Sequence, residues 1–212
     1  MKIIMMGTGQ YALPTLQALY TTPHEIVALF TRPERSPRHR RPPAGPALPQ
    51  LAQAHGTPVY DPPDVNAPKV QQILRNLAPD LLVVCDYGQR LAGETLSLAR
   101  WGGFNLHASL LPKYRGAAPV NWALYHGETH TGNTVIHMTP QIDGGPCVAQ
   151  QPVAIDPEET AVQLEARLAT AGASLVLTAI DQLQADALEE VPQDPHEVTR
   201  APKLKKTDGR VH

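Results

Sequence analysis

Lys2-Ile3-Ile4-Met5-Met6-Gly7-Thr8-Gly9-Gln10-Tyr11-Ala12-Leu13-Pro14 contains the parts of one strand-turn-helix unit. Ile3 to Met6 is an unbroken apolar run, the pattern of a strand buried on both faces of a parallel sheet. Gly7 to Ala12 can turn tightly, and Pro14 suits the first turn of a helix reaching about Tyr20. The Gly-x-Gly-x-x-Ala spacing matches part of a dinucleotide fingerprint. The next strand, Glu25 to Phe30, ends without the acid that would hold a ribose, so a plain tight turn is the stronger reading.

The same alternation continues outward. Leu48 to His55 predicts a short helix and Pro58 to Tyr60 an edge strand. Asn66-Ala67-Pro68 caps a helix through Leu77, and Asp80 to Cys85 is a second buried strand. Further strands are expected at Gly103–Leu106, Thr134–Met138 and Gln150–Ile155, with a helix at Pro119–Tyr125. A long amphipathic helix starts near Pro157-Glu158-Glu159-Thr160. Its expected sheet face is Val162, Leu164, Leu168, Ala171, Leu175, Leu177, Ile180 and Leu183. Strands alternating with helices predict a doubly wound, mostly parallel α/β sheet in a single Rossmann-like domain. The expected division is a domain over residues 1–200 and a tail over 201–212.

At 212 residues, such a domain buries roughly 70% of the surface its unfolded chain exposes. Charged residues make up only 18%, while 22 prolines are about twice the ordinary share. The net charge of −2 gives no global attraction to nucleic acid or membrane, so any basic function must be local. Two cysteines without paired spacing, Cys85 and Cys147, argue for a reducing compartment and against a disulfide scaffold or structural zinc. The N-terminal apolar run is too short for a signal peptide or membrane span, so the expected location is the cytoplasm.

In parallel sheets, ligands collect beyond the carboxyl ends of the strands. Those ends are Gly7–Gln10, Asp86–Leu91, Asn105–Pro112 and Thr139–Gly145. On a strand ending near Leu106, Asn105 and His107 share one side of the pleat. Asp143 stands in a loop rich in turn residues. An amide, an imidazole and a carboxylate can together run acyl transfer. The imidazole moves the proton, the carboxylate orients it and favours its charged form, and the amide holds a developing oxyanion.

Other arrangements fit less well. His126 and His130 are four apart, but Gly127 and Thr129 suit a turn better than a zinc-binding helix. Ser109 lacks a nucleophile-elbow pattern. Cys85 reads as a small core residue and Trp122 as a packing residue.

Asn105, His107, Ser109-Leu110-Leu111-Pro112, Arg115-Gly116-Ala117-Ala118-Pro119 and Asp143, in that order, resemble the signature of folate-dependent formyltransferases. Met6-Gly7-Thr8, Tyr87-Gly88-Gln89 and Ala201-Pro202-Lys203-Leu204-Lys205-Lys206 support it, and the likeness extends from Met1 to about Arg210. It is greatest for the branch that acts on methionyl-tRNA. The resemblance implies formyl transfer from 10-formyltetrahydrofolate to a primary amine, with Asn105, His107 and Asp143 as the catalytic residues and no metal. It places the folate along Tyr87, Gly88, Gln89, Arg90 and Leu91, and along Thr139, Gln141 and Ile142. Ser109, Leu110, Leu111 and Pro112 are expected to line the same pocket. Gly9, Gln10, Arg115 and Gly116 are expected on the acceptor side.

His137, Pro140 and Asp143-Gly144-Gly145 depart from the usual family pattern around the folate loop. Pro140 also lacks a backbone donor. The family's barrel-like tRNA-binding domain would begin near the end of these 212 residues and is not expected within them. An amino-sugar nucleotide is the first rival acceptor and glycinamide ribonucleotide a weaker one. A folate-binding module or a deformylase would fit the same residues.

Between Thr31 and Pro49, Arg32, Arg35, Arg38, Arg40 and Arg41 face a single acid, Glu34, among Pro33, Pro37, Pro42, Pro43, Pro46 and Pro49. This composition predicts a polyproline-like loop rather than a helix. Its bland reading is a solvated loop. Its sharper reading is a phosphate-contacting arm, and the resemblance implies that Arg38, Arg40 and Arg41 meet the acceptor end of tRNA.

Overall fold

The structure, a computed structural model, describes residues 1–33 and 48–209. Arg38, Arg40 and Arg41 lie outside the described residues. The chain runs β1 (Lys2–Gly7), α1 (Leu13–Tyr20), β2 (Glu25–Phe30), α2 (Leu48–Ala54), β3 (Val59–Tyr60), α3 (Pro68–Leu77), β4 (Leu81–Cys85), α4 (Gly93–Leu96) and β5 (Gly103–His107). It continues through β6 (Arg115–Gly116), α5 (Pro119–Tyr125), β7 (His130–His137), β8 (Cys147–Ala154), α6 (Ala161–Gln184) and β9 (Arg200–Ala201).

Seven strands form one sheet in the order β3-β2-β1-β4-β5-β7-β8. The first five are parallel, and β7 and β8 continue antiparallel. Pleating explains why the strands read as continuous apolar runs. Ile3, Met5, Leu81, Val83, Phe104 and Leu106 enter a core shared with α1, α2 and α6. Ile4, Met6, Leu82 and Val84 enter a second core with Val70 and Leu74 of α3 and Leu96 of α4. Burying each such Leu or Ile contributes about 1.5–3 kcal/mol before entropy is subtracted. The sheet is therefore wound on both faces, as expected.

Three local expectations change. On α6 the buried stripe includes Leu164, Leu168, Gly172, Val176 and Ile180, flanked by Ala169, Ala173 and Ala179. Val162 instead faces solvent at 77% exposure. Thr160 caps the helix through a reciprocal pair with Gln163, which fixes the entry angle and turns Val162 outward. Asn66 does not cap α3. Its carbonyl accepts from Ala92 N–H and Thr95 Oγ1, both at 2.8 Å, and its amide donates to Arg90 O. It thereby holds the loop after β4.

The third change is a second, two-stranded sheet in which β6 pairs with β9 in parallel. Ala201 is fully buried, so the division expected at residue 200 falls inside a packed strand. The segment from Thr199 to Pro202 grips residues 112–122. Arg115 N–H donates to Thr199 O, Tyr114 N–H to Thr199 Oγ1, Ala118 N–H to Ala201 O and Trp122 Nε1 to Pro202 O. Trp122 thus packs, as its sequence context predicts, and also donates a hydrogen bond. No helix of the described residues is long and apolar enough to cross a membrane.

Candidate active site

β5 ends beside the sheet's carboxyl edge and carries Asn105 and His107 into a cavity of about 480 Å³. The loop after β4 supplies Tyr87, Gly88, Gln89, Arg90 and Leu91 to one wall. The loop after β7 supplies Thr139, Pro140, Gln141, Ile142 and Asp143. These loops converge because β4, β5 and β7 are neighbours in the sheet. Gly116 also lines the cavity, so twelve of the expected positions meet there: 87–91, 105, 107, 116, 139 and 141–143.

The carboxylate of Asp143 is the hub. Its Oδ2 accepts from Gly116 N–H at 2.8 Å, and its Oδ1 lies 3.5 Å from Asn105 Nδ2 and 3.8 Å from His107 Nδ1. The backbone bond pins one oxygen and leaves the other facing the two catalytic candidates. Asp143 has a φ of +49°, a left-handed conformation that Asp tolerates better than most residues.

His107 is buried, and its Nε2 is 2.9 Å from the carbonyl of Tyr114. A carbonyl only accepts, so Nε2 carries the hydrogen and Nδ1 is the atom that faces Asp143. The ring is therefore oriented by a backbone group, with the carboxylate acting on it across 3.8 Å. Tyr114 can present that carbonyl because its own φ is +62°. Its hydroxyl donates to Glu128 at 2.6 Å and lies 3.2 Å from His126 Nδ1. Burial, with the carboxylate next, pushes this phenol up to about 12.

Several expected residues serve the site from behind. Ser109 is fully buried, and its hydroxyl donates to Lys113 O. Leu111 N–H donates to Thr134 Oγ1, and Leu111 packs with Ile136 and Cys147. Ser109, Leu110, Leu111 and Pro112 do not line the cavity; they form the turn beneath His107. Gly9 and Gln10 also lie off the cavity wall, and the next residue, Tyr11, takes the place expected for them. Gly9 is packed against the Asp86 carboxylate, which a side chain there would have to displace.

Arg115 is another correction. Its guanidinium turns away from the cavity and donates twice to Gln193 Oε1, at 2.9 and 2.7 Å. Gln193 Nε2 in turn donates to Asp143 O and Gly145 O. Arg115 and Gln193 thus brace the Asp143 loop. Gln193 sits in a polar, proline-bearing segment with no motif, so only the structure reveals it.

The loops after β4 and β7 are tied to each other and to their scaffold. Arg90 donates through Nε and Nη2 to Pro140 O, at 3.1 and 2.5 Å. Pro140 lacks a donor, but its carbonyl is used. Gln89 is committed to Val65 N–H and Pro62 O, which leaves its backbone for a ligand. Tyr87 is 2% exposed, and its hydroxyl has no partner among the described residues. Burial pushes this phenol up to about 12. His137 instead faces Glu190 and Trp101 O and leaves the cavity to Met138.

The sequence matches the formyl transferase family over residues 1–180. The methionyl-tRNA formyltransferase of Rhodopirellula baltica is 41% identical over 221 residues, covering 100% of this chain and 66% of the relative. That of Geotalea uraniireducens is 40% identical over 211 residues, with coverage of 100% and 67%. The chain thus spans about two thirds of the length of these relatives. Among solved structures, an N-formyltransferase from Helicobacter canadensis in complex with folinic acid and dTDP-3-aminofucose superposes with a TM-score of 0.75 at 17% identity. That match covers 99% of this chain and 72% of the other. A phosphoribosylglycinamide formyltransferase from Bacillus halodurans gives 0.73 at 21% identity, covering 88% and 97%. At such identities the structures speak to the fold.

Proposed function

The chain belongs to the formyl transferase family, and from that premise we propose that it moves a formyl group from 10-formyltetrahydrofolate to the amino group of methionyl-tRNA. The observation that carries the chemistry is the meeting of Asn105, His107 and Asp143 at one end of the cavity. The choice of acceptor rests on relatives about 40% identical along the whole chain.

The donor's pterin occupies the wall formed by Tyr87–Leu91 and Thr139–Ile142. Backbone groups of the two loops are available there to hydrogen-bond its edges. As the acceptor amine adds to the formyl carbon, negative charge grows on the formyl oxygen. One Asn105 amide hydrogen points towards Asp143 and leaves the other for that oxygen. His107 Nδ1 is the open basic position: it takes the proton the amine must lose and passes it to the departing folate nitrogen. Asp143 stabilises the imidazolium in between. Gly116 N–H and the Arg115–Gln193 brace keep the carboxylate in range.

The basic segment containing Arg38, Arg40 and Arg41 contacts the acceptor end of the tRNA. Arg32, just ahead of it, lies against Gly88 of the cavity wall. Two unpaired, buried cysteines and the nature of the substrates fit a cytoplasmic enzyme.

The test is release of tetrahydrofolate with methionyl-tRNA, with amino-sugar nucleotides and with no acceptor. Turnover confined to methionyl-tRNA supports the assignment. Turnover confined to a sugar nucleotide, or independent of acceptor, overturns it.

A further inference from the structure

Glu165 stands on α6, which packs on the face of the sheet that holds Leu106 and Val83. The folate-side residues Tyr87 and Leu91, with Met138 packed against them, belong to the core on the other face. Yet Glu165 lines the same cavity as Asn105 and His107, together with Tyr11, Pro119 and Val120. The cavity therefore wraps around the carboxyl edge of the sheet, with the catalytic residues between two differently built walls.

Near Glu165 the cavity is lined by the apolar Pro119 and Val120 and by the polar Tyr11, Asp86 and Asn121. Tyr11 donates its hydroxyl to Asn133 Oδ1 at 2.6 Å. Arg167, the nearest cation along α6, pairs with Glu159 at 2.7 Å and also donates to Ala154 O. Glu165 has no hydrogen-bond or ion-pair partner among the described residues. Its helix position is open to solvent, but enough protein surrounds its carboxyl for burial to raise its pKa above the ordinary value. A carboxylate that has given up part of its hydration without gaining a partner gains from a cation brought beside it.

We propose that the Glu165 carboxylate docks the cationic amine of the acceptor, on the wall away from the folate loops. This deepens the proposed function and rests on it. At neutral pH a free α-amine is largely an ammonium ion. It arrives charged, releases one proton to solvent before it can attack, and gives the second to His107 as it adds to the formyl carbon. Docking at Glu165 selects acceptors that carry an amine, while Tyr11, Pro119 and Val120 offer an apolar surface to whatever side chain accompanies it. Asp143 cannot serve as this dock, since Gly116 N–H holds one of its oxygens and Asn105 and His107 face the other.

The test uses the intact chain saturated with tetrahydrofolate, with L-methioninamide as cationic probe and N-acetyl-L-methioninamide as neutral probe, both followed by calorimetry. Wild type should bind the cationic probe about tenfold more tightly than the neutral one, the range of a partly desolvated ion pair. Glu165→Gln should bring that ratio close to one, and Glu165→Asp should restore part of it. Folate affinity and thermal stability should stay unchanged. With methionyl-tRNA, Glu165→Gln should raise KM about tenfold and leave kcat within a factor of two or so. An equal ratio in wild type and Glu165→Gln overturns the inference, even if methionyl-tRNA is formylated. Absence of formylation together with an intact probe ratio would count against the tRNA assignment and leave the amine dock standing.

Discussion

The imidazole of His107 donates its Nε2 hydrogen to the backbone carbonyl of Tyr114 at 2.9 Å, a residue whose left-handed backbone exists to present it. This bond leaves Nδ1 as the working nitrogen. Nitrogen-15 NMR should accordingly find neutral His107 as the Nε2–H tautomer. His107→Ala should lower kcat by about a hundred- to ten-thousand-fold in the tetrahydrofolate-release assay with folate affinity retained. A neutral ring found in the Nδ1–H form would reverse the assignment of the proton-accepting atom.

In the proposed mechanism Asn105 acts through one donor. Asn105→Ala should reduce kcat by about a hundred- to a thousand-fold, the usual cost of one oxyanion donor, while KM for the folate changes little. A loss felt mainly in KM would mean that Asn105 binds the ground state instead.

Gly116 offers a backbone test of the carboxylate's placement. A β-carbon there would come within 2.4 Å of Ala201 O, and the φ of +132° disfavours any side chain. Gly116→Ala should push β6 off β9, lengthen the bond to Asp143 and cost up to about a hundredfold in kcat. Circular dichroism should show the large sheet intact.

Gln193 lies off the cavity and has no place in the chemistry, yet it links Arg115 to the Asp143 loop. Gln193→Leu leaves a buried guanidinium without its acceptor, at a cost of about 2 kcal/mol in urea unfolding. It also frees two loop carbonyls, so kcat should fall along with stability. Stability lost at unchanged kcat would confine the brace to folding.

The Tyr114 phenol supplies a pH dependence. Its folded pKa of about 12 lies above the unfolded value. The folded state therefore holds the proton more tightly, and the resulting stability is complete below about pH 10. It is lost as pH rises from there towards about 12. Tyr114→Phe should flatten this part of the stability-pH curve; an unchanged slope would assign the effect to other groups.

The large sheet was legible because Ile3–Met6 and Leu81–Cys85 are apolar runs whose burial on both faces leaves little other reading. The meeting of Asn105, His107 and Asp143 was legible for a similar reason: strand ends on one edge converge whatever the loops do. What escaped depends on contacts between distant residues. Arg115 looked like a substrate ligand until Gln193, 78 residues later, was seen to accept both its bonds. Ser109 and Leu111 were expected in the pocket from the family resemblance, which ties them to His107 only through the chain. Chain proximity does not say which side of a turn faces the cavity, and here the apolar contacts of Leu111 with Ile136 and Cys147 decided it. Tyr11 was missed by one position, since the short 3₁₀ turn at Gln10–Ala12 rotates it inward.

The pairing of β9 with β6 has a consequence for how the protein is made. Synthesis runs from the N-terminus, so the seven-stranded sheet and all three catalytic candidates leave the ribosome well before Thr199–Ala201. Yet those late residues hold Tyr114, which aims His107, and Gly116, which anchors Asp143. A nascent chain stalled before Thr199 would own every reactive group and lack their alignment.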